Sequence, residues 1–133
     1  MSESNLALVK ELYAAFGRGD IGRIVGAAAP NVSWEIVGRQ TDFPTFGKRS
    51  TPSGVQEFFQ SVSDHCHFQE FSPREFYAAG NKVFVLGRYA LTVKKTGRSI
   101  ASEWIHVFTI ENGKLSDFRE FTDTAQARDA YGA

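Results

Sequence analysis

Residues 82–122, KVFVLGRYALTVKKTGRSIASEWIHVFTIENGKLSDFREFT, decide the fold. Hydrophobic and polar side chains alternate through three runs, 82–95, 99–110 and 115–122. Thr96-Gly97 separates the first two runs and Asn112-Gly113 the last two; Asn-Gly is a strong hairpin signal. Successive side chains of a strand point to opposite faces, so each face can be read off. One face carries Val83, Val85, Gly87, Tyr89, Leu91 and Val93, then Ser102, Trp104, His106 and Phe108, then Phe118, Glu120 and Thr122. The other carries Phe84, Leu86, Arg88, Ala90, Thr92 and Lys94, then Glu103, Ile105 and Val107, then Asp117, Arg119 and Phe121. The first face is the more apolar and aromatic, and is expected to lie under helices. The second is half apolar with paired charges, which reads as a protein interface rather than a wet face. A homodimer through it is the economical expectation, since an isologous contact needs one patch only.

Upstream, Leu6, Val9, Leu12, Tyr13 and Phe16 recur at helical spacing over 6–16, and Gly17-Arg18-Gly19 ends that helix. Asp20 is placed to cap a second helix, which carries Ile21, Ile24, Val25 and Ala28 inward and stops at Pro30. Val32–Ile36 alternates as a short strand, and a loop containing Phe43 and Phe46 runs through Pro52. A third helix from Ser53 carries Val55, Phe58, Phe59 and Val62. In Phe68–Ala79 the period is two, interrupted by Pro73, which predicts a bulge or an edge position. Asp123-x-x-Gln126 reads as the capping box of a short last helix. The order is α-α-β-α followed by four strands. One α+β domain over 1–133 is predicted, its helices on one face of an antiparallel sheet.

Lys plus Arg and Asp plus Glu are 15 each, so the net charge is zero. That balance argues against nucleic acid and anionic membrane as partners. The one cysteine, Cys66, excludes an internal disulfide and a Cys-rich zinc site. His65-Cys66-His67 lacks partner ligands at metal spacing, and no G-x-G-x-x-G or P-loop occurs. No metal and no cofactor is therefore implied. The first residues lack a basic segment followed by an apolar run, and no stretch reaches membrane-span length. A cytoplasmic location is expected. With 12 Phe, four Tyr and two Trp, the chain carries more ring surface than a simple core needs.

His106 and Glu120 are the ionisable groups of the first face, set among Trp34, Tyr89, Trp104, Phe108 and Phe118. A His–Glu pair in an aromatic pocket can act as a general acid/base or orient a water or a ligand carbonyl. The same pair also reads as an internal hydrogen bond joining two strands. Asp123, near the rim, is accounted for by its capping position.

LYAAFGRGD (12–20) followed by Ile21 and Ile24, VSWE (32–35), GVQEFF (54–59) and WIHVFTIENGKLSDFREFTDT (104–124) resemble the SnoaL-like polyketide cyclases. That family belongs to the nuclear-transport-factor-2-like superfamily, with ketosteroid isomerase and limonene-epoxide hydrolase. The resemblance implies a cone-shaped, strongly curved sheet wrapped around a long first helix. It also implies a pocket under the 38–52 loop and a dimer through the outer sheet face. Carried over residue by residue, the isomerase's catalytic Asp falls on Ile36, and its oxyanion-hole Tyr on Leu12 beside Tyr13. The supporting Tyr falls on Phe59, and the protonated Asp on His106. Isomerase chemistry of that kind is not expected here. The hydrolase's Asp–Arg–Asp set has no match either, since Arg88 and Arg119 fall on the outer face. The expected ligand-binding residues are Tyr13, Trp34, Ile36, Phe46, Phe59, Tyr89, Trp104, Phe108 and Phe118, with His106 and Glu120 catalytic. The function read from these is binding of a small apolar ligand, acted on by isomerase-, cyclase- or hydrolase-type acid/base chemistry. A non-catalytic binder or a dimeric interaction module of the same fold is the alternative.

Overall fold

The computed structural model describes residues 2–132; Met1 and Ala133, the ends of the expected 1–133 span, lie outside the described residues. In chain order the elements are α1 (Ser2–Gly17), α2 (Ile21–Ala27), β1 (Ala28–Ile36), β2 (Gly47–Arg49) and α3 (Pro52–His65). Then come β3 (Cys66–Ala79), β4 (Lys82–Val93), β5 (Ser99–Glu111), β6 (Lys114–Thr122) and α4 (Thr124–Tyr131).

Helix starts follow their caps. Asp20 Oδ1 accepts from the Arg23 amide at 3.1 Å, and Thr51 Oγ1 from the Gly54 amide at 3.0 Å. Asp123 Oδ1 accepts from the Gln126 amide at 3.1 Å. Each satisfies an amide that the helix itself leaves unpaired. Helix α2 is shorter than expected. Its cap residue, Ala28, is already extended, and the chain runs through Pro30 as strand. Proline disfavours helical geometry in the residue before it, so the helix yields ahead of Pro30 rather than at it.

The six strands form one curled, open sheet in the order β2-β1-β6-β5-β4-β3. The expected antiparallel sheet of five strands needs two corrections. The 38–52 loop contributes the short strand β2, which pairs antiparallel to β1. β1 itself runs parallel to β6, with Trp34 opposite Phe118 and Ile36 opposite Glu120. Hairpins force antiparallel pairing only between consecutive strands. Between β1 and β6 the whole β2–β5 segment serves as the long crossover that a parallel pair requires.

The β4–β5 ladder is unbroken from Lys82↔Thr109 to Thr92↔Ser99, so the face assignment holds there residue by residue. Burial alternates strictly along β4. Asn112 and Gly113 both take positive φ, 52° and 75°, as the tight β5–β6 turn demands. β3 is both an edge strand and bulged, with register shifts at Phe68/Glu70 and Pro73/Glu75. Helix α1 lies on the inner face against β3 and β4, burying Val9, Leu12 and Ala15. No described helix is long and apolar enough to cross a membrane.

Candidate active site

Between α1 and the inner face lies a cavity of about 100 Å³, walled almost wholly by apolar side chains. His106 projects into it from the middle of β5, with its side chain 5% exposed. Its Nε2 is 2.8 Å from Glu120 Oε1, across the β5–β6 ladder where the two residues are direct partners. Its Nδ1 is 2.6 Å from the Tyr13 hydroxyl, which descends from α1. A carboxylate only accepts, so opposite an ionised Glu120 the Nε2 atom carries a proton, and a ring with that single proton presents Nδ1 as an acceptor. In that tautomer Tyr13 O–H donates to His106, and His106 N–H donates to Glu120. Burial first, and then the Glu120 charge, hold the Tyr13 hydroxyl well above its ordinary value, so it stays protonated.

The ring stack fixes the imidazole plane. Trp104 lies under His106 at 3.8 Å between centroids, with 18° between planes. Tyr13 lies parallel to His106 within 8°. Phe71 stacks on Trp104 at 5.2 Å. Trp104 can lie flat because its strand neighbour is Gly87: a Cβ there would come within 2.3 Å of the indole.

Tyr13, Trp34, Phe46, Phe59, Tyr89, Phe108 and Phe118 all line the cavity, with His106 and Glu120. Trp34 stacks on Phe118 at 4.0 Å. Ile36 and Trp104 do not line it. Ile36 is fully packed in the core at the register position of Glu120, and Trp104 is sandwiched between the sheet and the imidazole. Two indole N–H groups, of Trp34 and Trp104, are buried without an acceptor. Such an orphan costs on the order of 1–3 kcal/mol, and Trp34 is a wall residue.

Sequence reasoning missed Phe68 and Phe71 as wall residues. Three residues apart, they would face opposite ways on a regular strand; the Phe68/Glu70 bulge turns both inward. The Pro73/Glu75 bulge does the same for Phe76, which meets Tyr13 edge-on at 5.9 Å. Phe16 and Phe58, from the apolar stripes of the first and third helices, also line the cavity. The three side chains of His65-Cys66-His67 diverge. Cys66 enters the cavity wall, His65 Nδ1 donates to the Ser61 carbonyl at 2.8 Å, and His67 is exposed. Burial raises the Cys66 thiol to about 11, which makes it a poor nucleophile. Arg88 and Arg119 stay on the outer face, beside Glu70 at 3.7 Å and Asp117 at 3.5 Å.

A curled sheet around a helix-capped aromatic cavity is the nuclear-transport-factor-2-like architecture, and comparison with solved structures places the chain there. An NTF2-like protein of unknown function from Burkholderia pseudomallei is 30% identical, with 98% of each chain covered and a TM-score of 0.87. TerC, co-crystallised with polyporic acid, is 24% identical over 98% of this chain and 99% of its own, at TM-score 0.85. An LEH-like epoxide hydrolase from M. tuberculosis shares the fold at 16% identity and TM-score 0.74, covering 97% of this chain and 90% of its own. No curated protein matches the sequence. The SnoaL-like domain family matches residues 9–118, and the chain belongs to that family. The fold hosts cyclases, isomerases, hydrolases and binders of small ligands.

Proposed function

We propose that the protein binds a small, mostly apolar ligand in this cavity and acts on it by general acid/base chemistry through Tyr13, His106 and Glu120. One observation carries the reading: the continuous Tyr13–His106–Glu120 hydrogen-bond chain set in an otherwise apolar wall. The chain has two proton orders. With His106 neutral, Tyr13 spends its proton on Nδ1. With His106 protonated and paired to Glu120, Nδ1–H donates to the Tyr13 oxygen, and the Tyr13 O–H is released to polarise a ligand oxygen. A proton passed from Tyr13 to the ligand is replaced by the one on Nδ1; the reverse order removes a proton. Positioned proton transfer of this kind contributes roughly 10²–10⁴-fold.

Acetophenone tests it, as a small aryl ketone whose methyl protons exchange only through the enol. Accelerated deuterium uptake from D₂O, followed by NMR and lost in His106→Gln and Tyr13→Phe, is expected. Uptake equal in wild type and both variants would sink the catalytic reading.

A second reading is binding without turnover, in which the His106–Glu120 pair only anchors one polar end of the ligand. The cavity of about 100 Å³, below the usual pocket of about 300–1,000 Å³, limits either reading to a small ligand. Binding without turnover predicts bound acetophenone with no exchange.

The outer sheet face supports a homodimer. Ile105 and Phe121 are cross-strand partners there, 42% and 41% exposed, beside the half-buried Phe84 and Leu86. An adjoining groove is flanked by Arg74, Glu75 and Glu103. Sedimentation is expected to show a dimer that Ile105→Glu dissociates; a wild-type monomer at high micromolar concentration would exclude it. A buried free thiol suits a reducing compartment, and the cytoplasm is the proposed location.

A further inference from the structure

Tyr89 lines the cavity, and its hydroxyl belongs to a hydrogen-bond chain apart from His106. Tyr89 Oη lies 2.7 Å from Thr122 Oγ1, which lies 3.1 Å from Ser102 Oγ. Ser102 Oγ in turn donates to the Glu103 carbonyl at 2.7 Å and accepts from the Asp123 amide at 3.2 Å. Each hydroxyl owns one proton, so the order can be counted from the far end. Ser102 spends its proton on a carbonyl, which can only accept. The Ser102–Thr122 contact then needs the proton of Thr122. The Thr122–Tyr89 contact, in turn, needs the proton of Tyr89. The Tyr89 O–H is thus committed away from any ligand, and only its lone pair is free. Burial, with the Glu120 charge, raises this hydroxyl far above its ordinary value, so it does not ionise.

We infer that Tyr89 is a specificity-determining residue that, held as a pure acceptor by Thr122 and Ser102, selects ligands bearing a hydroxyl donor, a phenol over its ether or hydrocarbon counterpart. The inference rests on the cavity being the ligand site. It concerns recognition and is independent of turnover.

Phenol, anisole and toluene test it as probes of near-equal shape, titrated by NMR against the full chain. Tyr89→Phe is expected to weaken phenol about ten-fold, the scale of one net hydrogen bond, and to leave toluene within about two-fold. Thr122→Val removes the acceptor while keeping the side chain's shape and strand preference. It frees the Tyr89 proton, so anisole is expected to tighten relative to toluene. Toluene binding with phenol unaffected by Tyr89→Phe, or anisole unmoved by Thr122→Val, overturns the polarity assignment and leaves the cavity reading standing. Failure of phenol and toluene alike to bind the wild type overturns both.

Discussion

Gly87 and Trp104 face each other across the β4–β5 ladder, and the indole occupies the space a side chain at 87 would need. A Cβ there would meet the Trp104 ring at 2.3 Å and the Ser72 carbonyl at 2.7 Å. The second neighbour is backbone of the bulged edge strand, so the strain cannot be relieved by rotating one side chain. Trp104 also supports the imidazole of His106 from below. Gly87→Ala is therefore expected to cost about 1–3 kcal/mol, as other overpacked cores do. Urea unfolding measures the loss, and NMR shifts of the His106 ring report its displacement. An unchanged midpoint would mean that the sheet opens freely at this point.

The His106–Glu120 contact separates charge from geometry. Its side chains are 5% and 14% exposed, so little water can replace a lost partner. Glu120→Gln retains an acceptor oxygen for Nε2–H and is expected to cost less than about 1 kcal/mol. Glu120→Ala leaves a buried ring N–H unpaired and is expected to cost about 1–3 kcal/mol. Denaturant midpoints of the two variants should differ accordingly. Equal losses would mean that the carboxylate charge, rather than the hydrogen bond, holds the pair.

Alkaline pH should unfold the protein through three buried acids. The Cys66 thiol rises from 9.0 to about 11, and Tyr13 and Tyr89 lie well above 10.0, burial being the leading cause in each. Folding favours the neutral form, so above its ordinary value each group keeps a proton that the unfolded chain releases. Stability is then full below pH 9 and falls as pH rises, first through Cys66 and from pH 10 through the tyrosines as well. The slope is about 1.4 kcal/mol per pH unit for each group. Urea midpoints at pH 8, 9.5 and 10.5 should decline, and Cys66→Ala should flatten the first interval. Constant midpoints over that range would contradict the buried placement of these groups.

Legibility in the sequence followed the regularity of the backbone. The β4–β5 ladder has no bulge and the β5–β6 ladder is regular from Trp104 to Thr109, so two-residue counting assigns both faces there and brings His106 to Glu120. On β3 the same counting fails twice, because each bulge flips every later side chain, and Phe71 entered the cavity unannounced. The parallel β1–β6 pairing has no local signature, since no turn residue links strands so far apart. Helical spacing places Tyr13 on the inward stripe of the first helix and among the expected ligand-binding residues, but not against His106. Its bond to His106 depends on how α1 is rotated over the sheet, and that is set by packing of the whole helix rather than by helical spacing. Gly87 was visible as a gap in an apolar face, but its meaning required knowing that a tryptophan lies opposite.

Helix α4 supplies Ala127 to the cavity wall, and at its N-terminal end the side chain of Gln126 ties it to the sheet. Gln126 Oε1 accepts from the Ala101 amide at 2.6 Å, and its Nε2 donates to the Ala101 carbonyl at 3.0 Å and to Asp123 Oδ2 at 3.1 Å. The amide thus mimics a paired strand residue beside β5. At the other end of the helix, Thr96 Oγ1 donates to the Ala130 carbonyl at 2.6 Å, and Arg98 to the Asp129 carbonyl at 2.8 Å. Gln126→Ala removes the first anchor and leaves the second. It is expected to cost about 1–2 kcal/mol, less than the sum of three bonds because water reaches this site. Hydrogen exchange should accelerate at Ala101 and in the first turn of α4, while amides near Ala130 change less. Acceleration confined to the last turn would mean that the 96–98 hairpin, and not Gln126, holds the helix over the cavity.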